Sequence, residues 1–109
     1  MAKIMVTPPK KAQKLAAYYA KLRPTLPKSK RAMTATGLRE MRKTAAGKPR
    51  DAELIVNWFA RHKHNMAIAQ ARGETPATSK AMGALYGWGG WSMYQAALKA
   101  LEKDARRQR

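Results

Sequence analysis

The stretch DAELIVNWFARHKHNMAIAQA, residues 51–71, carries the clearest helical pattern in this chain of 109 residues. It begins with Asp51, a residue type that favours the first position of a helix, and it contains neither glycine nor proline. Apolar residues recur along it at helical spacing and form a stripe that is interrupted at His62. The stripe consists of Leu54, Ile55, Trp58, Phe59 and Met66. The pattern predicts a helix over residues 52–71 at the centre of the core.

Weaker helical patterns flank this segment on both sides. They predict helices over about 9–22, 36–46, 76–86 and 91–105. Thr36 is the expected cap of the second of these, Gly73 ends the central helix, and Thr75-Pro76 is typical of a helix start. Because no segment alternates between apolar and polar residues, we expect no strand. The fold class predicted is all-α, a small helical domain of about five helices.

Charge divides the chain into two parts. Lysine and arginine number 23 against six acids, a net charge of +17, and the first fifty residues contain a single acid, Glu40. We therefore predict a basic part at 1–50, made of a flexible arm over residues 1–8 and two short helices, and a helical core at 51–109. So large an excess favours a nucleic acid partner, because phosphate binding releases condensed counterions. A merely solvated surface and an anionic membrane surface are the alternatives; the amphipathic helix 9–22 is a poor membrane anchor.

Residues 76–101 have the layout of a helix-turn-helix, in which two short helices flank a tight turn at Gly87-Trp88-Gly89-Gly90. Met82 and Leu85 or Tyr86 would face inward, Gly87 would take the left-handed turn position, and Trp88 would fill the core behind it. Met93, Ala97, Leu98 and Leu101 would anchor the second helix. An ordinary corner between two helices of a bundle gives the same pattern.

Several polar side chains are candidates for contact with nucleic acid. Those expected to point outward from the second helix and to reach bases or phosphates are Gly90, Ser92, Gln95 and Lys99. Those expected to contact phosphates are Lys10, Lys11, Lys14, Lys28, Lys30, Arg31, Arg39, Arg42 and Lys43. Trp91 is a candidate for stacking on an unpaired base, although aromatic residues at helical spacing more often belong to a core.

Two resemblances bear on these expectations. Gly73-Glu74-Thr75-Pro76, Met82 through Gly87-Trp88 and Leu98-Lys99-Ala100-Leu101 together resemble the DNA-binding domain of LexA-type repressors over residues 73–101. That likeness implies a helix-turn-helix whose second helix reads DNA. Those domains continue into a β-hairpin wing, whereas this chain ends in a basic tail. Thr36-Gly37-Leu38, Gly47-Lys48, Phe59-Ala60-Arg61-His62 and Trp88-Gly89-Gly90 look like a segment of bacteriophage head and packaging proteins, over residues 36–90.

The residue types favour binding over catalysis. The chain has no cysteine, its acids are scattered singly, and His62 and His64 point to different sides of a helix, so we expect no enzyme, no metal site and no cofactor. We expect a cytoplasmic or virion-associated protein that binds nucleic acid, with DNA favoured over RNA, as a phage- or plasmid-type regulator or DNA-organising protein. A sequence-specific binder of this size would act as a homodimer. The alternative is a phage structural protein whose helical bundle binds another virion protein or a host protein.

Overall fold

A computed structural model describes residues 3–108. This part of the chain forms five α-helices and a small two-stranded antiparallel sheet. The helices are α1 (Lys10–Leu22), α2 (Ala35–Ala45), α3 (Ala52–Ala71), α4 (Lys80–Gly87) and α5 (Gly90–Arg107), and the strands are β1 (Met5–Val6) and β2 (Arg50–Asp51). The prediction of a small all-α domain with about five helices is confirmed.

The central helix forms as its sequence predicts. The Asp51 carboxylate accepts hydrogen bonds from the backbone N–H groups of Glu53 and Leu54, at 3.0 and 3.3 Å. Such a cap satisfies donors that have no partner within the helix. Ile55, Phe59 and Met66 are buried in the main core cluster. The apolar stripe is narrower than expected, because Leu54 is 37% exposed, and His62 is also exposed.

The helices pack as two pairs that are joined by α4. α1 packs along α2 and also contacts α4 and α5, while α3 packs on α4 and α5. The approach of α1 to α4 is close, because a Cβ atom added at Gly83 would lie 2.5 Å from the Tyr19 Oη atom. That hydroxyl oxygen accepts a hydrogen bond of 2.9 Å from the backbone N–H of Ala32, just before α2.

The chain before α1 is more ordered than the sequence predicts. Within the described residues 3–8, β1 pairs with β2, and Ile4 and Val6 pack against the main core cluster. The backbone N–H of Ala52 also donates to the Ile4 carbonyl oxygen at 2.9 Å. The expectations of a flexible arm and of no strand are therefore wrong here. A pairing of two residues is too short to produce a visible alternation in the sequence.

Two helices are capped by other residues than predicted. Thr34, and not Thr36, caps α2, since its side chain accepts from the N–H of Gly37. Ser79, and not Thr75, caps α4. Residues 75–79 form a turn that Thr75 and Thr78 close with side-chain hydrogen bonds. In both places several hydroxyl residues compete for the cap, and the packing of the helix decides between them.

Candidate nucleic-acid interface

α1 and α2 lie side by side in opposite directions. Gly47, just beyond α2, faces the side chain of Gln13 near the start of α1, whereas Tyr19 near the end of α1 is hydrogen-bonded just before α2. Each of the two helices buries one face and exposes the other. On α1 the buried residues include Ala12, Ala16 and Tyr19, and the exposed basic residues are Lys10, Lys11, Lys14 and Lys21.

The exposed face of α2 continues this basic surface. It carries Arg39, Arg42 and Lys43, and Lys48 follows in the loop beyond the helix. We call the whole set the α1–α2 basic surface, and it comprises Lys10, Lys11, Lys14, Lys21, Arg39, Arg42, Lys43 and Lys48. Lys21 and Lys48 are additions to the sequence prediction. The spacing of Lys14 and Lys21, two helical turns apart, was a signal for the first of them.

This surface carries almost no exposed negative charge. The single acid of α1 and α2, Glu40, is 7% exposed and turned inward. Its carboxylate accepts from the buried Arg50 guanidinium at 2.6 and 3.0 Å and from Lys43 at 3.2 Å. Burial lowers the pKa of Arg50 from its ordinary value, and the charge of Glu40 opposes that shift. Apart from Lys43, the lysines and arginines of the surface therefore project into solvent with no carboxylate beside them in the described structure.

The connection between α1 and α2 is only partly a basic linker. Lys28 and Lys30 are exposed, as predicted. Arg31 instead donates to the carbonyl oxygens of Leu26 and Pro24, at 2.9 and 3.0 Å. Leu26 is buried against the α1–α2 core. Arg31 therefore braces the connecting turns through two of its N–H groups, and its role as a phosphate contact stays a prediction.

The turn between α4 and α5 differs from the sequence expectation. Gly87 belongs to α4, and the left-handed residues are Gly89 and Gly90, with φ of +95° and +71°. Trp88 does fill the core behind the turn, since it is 4% exposed and stacks on Trp58 with ring centroids 4.5 Å apart. Gly87 lies inside α4, where an added Cβ would overlap the Met33 sulfur, so a larger residue there would require the flexible Met33 side chain to move.

The first turn of α5 is covered rather than open. Gly90 is buried, and a Cβ atom added there would lie 2.5 Å from Leu15 Cδ1 on α1. Ser92 is half-buried, and its hydroxyl donates to the Gly89 carbonyl oxygen at 3.2 Å. The expectation that Gly90 and Ser92 point outward is therefore wrong, because α1 packs over the start of α5. Of the four candidates on this helix, Gln95 and Lys99 are exposed.

The aromatic residues near the turn belong to the core. Trp91 is half-buried, its ring lies 5.8 Å from that of Phe59, and its indole N–H donates to Gln70 at 2.8 Å. Phe59 and Tyr94 stack with ring centroids 4.8 Å apart. Trp91 thus packs between α3 and α5, and its role in base stacking stays a prediction.

Comparisons with known proteins do not extend this description. No family model matches the chain, and neither the curated proteins nor the solved structures contain a match. Within residues 3–108, no helix combines the length and the apolar character that a membrane span requires.

Proposed function

We propose that this protein binds double-stranded DNA through phosphate contacts on the α1–α2 basic surface. The observation that carries the proposal is a surface that presents eight lysines and arginines, seven on two adjacent helices and Lys48 just beyond α2, and no exposed carboxylate; Lys43 is the one that is paired. A surface of this kind attracts a phosphate backbone and displaces its counterions. The net charge of +17 adds to the attraction at longer range.

Binding on this surface would be largely independent of DNA sequence. In a helix-turn-helix, residues near the start of the second helix contact the base edges. Here α1 covers that start, where Gly90 is buried and Ser92 bonds to its own turn. Lysine and arginine side chains that meet phosphates supply affinity and register but carry no sequence information. We therefore favour a DNA-organising role over a sequence-specific repressor.

A duplex suits this surface better than a single strand does. Single-strand binders offer exposed aromatic rings on which successive bases stack. Trp88, Trp91 and Tyr94 instead pack against other rings of the core. Tyr18 is the exposed aromatic residue next to the basic surface, at 53% exposure. One ring in this position does not make a stacking platform.

The salt dependence of binding tests this proposal. The dissociation constant is measured by fluorescence anisotropy for two unrelated duplexes of about 20 base pairs, or two helical turns. We expect the logarithm of the association constant, the reciprocal of the dissociation constant, to fall with log salt concentration between about 50 and 200 mM, by a slope of about −0.9 for each phosphate contacted. The two duplexes should give the same affinity within about twofold, because the contacts are to the backbone.

Matched variants locate the binding surface. Lys10→Gln combined with Lys14→Gln removes two cations from α1 and should reduce the magnitude of the slope by about 1.8. Lys63→Gln removes an exposed cation from α3, which packs on the other side of α4, and should leave the slope unchanged. Equal slopes for wild type and the double variant, or an affinity that ignores salt, would overturn the proposal.

A further inference from the structure

A groove of about 700 Å³ opens between α3, α4 and the segment that leads into α2. Leu54, Trp58 and Met66 of α3 line one side, Ala81 and Ala84 of α4 form the floor, and Met33 closes the other side. Leu54 is 37% exposed, and Trp58 and Met33 are half-buried. Apolar side chains therefore remain partly open to solvent along a concave surface, which is typical of a site that receives apolar groups.

The wall at Met33 is held in an unusual backbone conformation. Met33 has φ of +84°, the one non-glycine residue with positive φ in the described structure. Such a conformation costs free energy and persists where the surroundings enforce it, often beside ligand sites. Here the Met33 side chain lies against Gly37 of α2 and Gly87 of α4. Two glycines thus make room for a flexible thioether, a group that adapts to irregular apolar partners.

The rim of the groove is positively charged. Arg61 and Lys80 are exposed lining residues, Arg31 lies beside them, and the lining residues include no aspartate or glutamate. Among the described residues, neither Arg61 nor Lys80 forms an ion pair. An apolar floor with a basic rim is complementary to a segment that carries apolar residues on one face and carboxylates beside them.

We infer that this groove binds an acidic amphipathic helix of a partner protein. A second copy of the chain does not fit, because each of the five helices has a net positive charge and each copy carries +17. An unpaired nucleobase fits poorly as well. The Trp58 ring already stacks on Trp88, with centroids 4.5 Å apart, and lies 4.8 Å from the His62 ring, so a base that stacked on it would compete with these contacts.

The binding mode follows from the residues that line the groove. The partner helix places apolar residues at positions i, i+3, i+4 and i+7 on the accessible parts of Met33, Leu54 and Trp58. Its glutamates or aspartates flank that stripe and meet Arg61 and Lys80 at the rim. This site is separate from the α1–α2 basic surface, so a single molecule can hold DNA and the partner helix together.

Methionine methyl NMR with a designed peptide tests the inference. The peptide has about 15 residues, enough to form a helix on binding, with leucines at i, i+3, i+4 and i+7 and glutamates beside them. We expect the ¹³C-methyl signals of Met33 and Met66 to shift on its addition. Met5, which lies on β1 outside the groove, should not shift. A peptide of the same composition in scrambled order should bind at least about tenfold more weakly, because its apolar stripe is lost.

Two pairs of matched variants complete the test. Leu54→Asp should lower the affinity for the peptide by about tenfold or more. Leu98→Asp changes a leucine of similar exposure outside the groove and should leave the affinity unchanged. Arg61→Glu should also lower the affinity for the peptide, whereas Lys63→Glu, on the same helix, should not. These substitutions should not change the effect of Lys10 and Lys14 on duplex affinity. A negative result for the groove is therefore distinguishable from a negative result for DNA binding.

Three outcomes would overturn the inference. The first is equal binding of the ordered and scrambled peptides, which would indicate attraction by net charge alone. The second is displacement of the peptide by an oligothymidine that shifts the Met33 and Met66 methyl signals, which would assign the groove to nucleic acid. The third is a shift of those signals with protein concentration in the absence of peptide, which would assign it to a second copy.

Discussion

Arg50 is 1% exposed, although most basic residues of this chain project into solvent. Its guanidinium donates to the Glu40 carboxylate and to the Thr44 hydroxyl, and it lies 5.5 Å from the centre of the Trp88 ring. A buried charge is tolerated when it is paired and its donors are satisfied. The pair joins α2 to β2 and keeps the one acid of α2 away from the surface.

Removing one partner of this pair should be costly. We expect Glu40→Ala to lower the free energy of unfolding by about 3–5 kcal/mol, because it leaves the Arg50 charge buried without a counter-ion. Glu102→Ala is the control, since its pair with Arg106 is exposed, and it should cost less than about 1 kcal/mol. Urea denaturation measures both. Equal costs would show that Arg50 does not depend on Glu40.

The sequence does not identify this pair. Glu40 and Arg50 are ten residues apart, and many other basic residues were equally available as partners. Only the packing of α2 against β2 selects Arg50. Arg31 illustrates the same limit, because its place in a basic run does not predict that two of its N–H groups donate to backbone carbonyl oxygens.

Among the elements, the turn between α4 and α5 depends most on close packing. A Cβ atom added at Gly89 would lie 2.8 Å from Met93 Cβ and 3.0 Å from Ala12 Cβ of α1. Gly73, after α3, also has positive φ, at +74°, but open space surrounds it. The two glycines share a left-handed conformation and differ in their neighbours.

This difference gives a prediction for stability. Gly73→Ala should cost about 1–2 kcal/mol, the penalty of a side chain in the left-handed region. Gly89→Ala should cost about 1–3 kcal/mol more, because it adds an overlap with rigid Cβ atoms. Thermal and urea unfolding of the two variants measure the difference. Equal losses would contradict the close approach of α1 to this turn.

Helical periodicity was sufficient to predict all five helices, with ends within a few residues except at the start of α4. Residue type also predicted the Asp51 cap, because Asp51 is the one residue directly before α3 whose side chain favours a helix N-cap. It failed at α2 and α4, where hydroxyl residues stand close together and tertiary packing chooses Thr34 and Ser79. The search for alternating apolar and polar residues missed β1 and β2, because a pairing of two residues leaves no such pattern.

At the scale of the whole molecule, the charge counts predicted which part of the chain carries the basic surface. The single acid among the first fifty residues was a sufficient signal. The packing of α1 over the first turn of α5 was not predictable from the sequence, because Leu15 and Gly90 are distant in sequence and no periodicity relates them. The groove was missed for the same reason, since three separate segments form it.

We propose contact between DNA phosphates and the exposed faces of α1 and α2. Its most direct test is the amide NMR spectrum of the ¹⁵N-labelled protein, titrated with a duplex of about 20 base pairs at low salt, where phosphate binding is strongest. We predict that the largest shift changes fall on residues 10–21 and 39–48. Changes concentrated at Ser92 and Gln95, or none along α1 and α2, would rule out this contact surface.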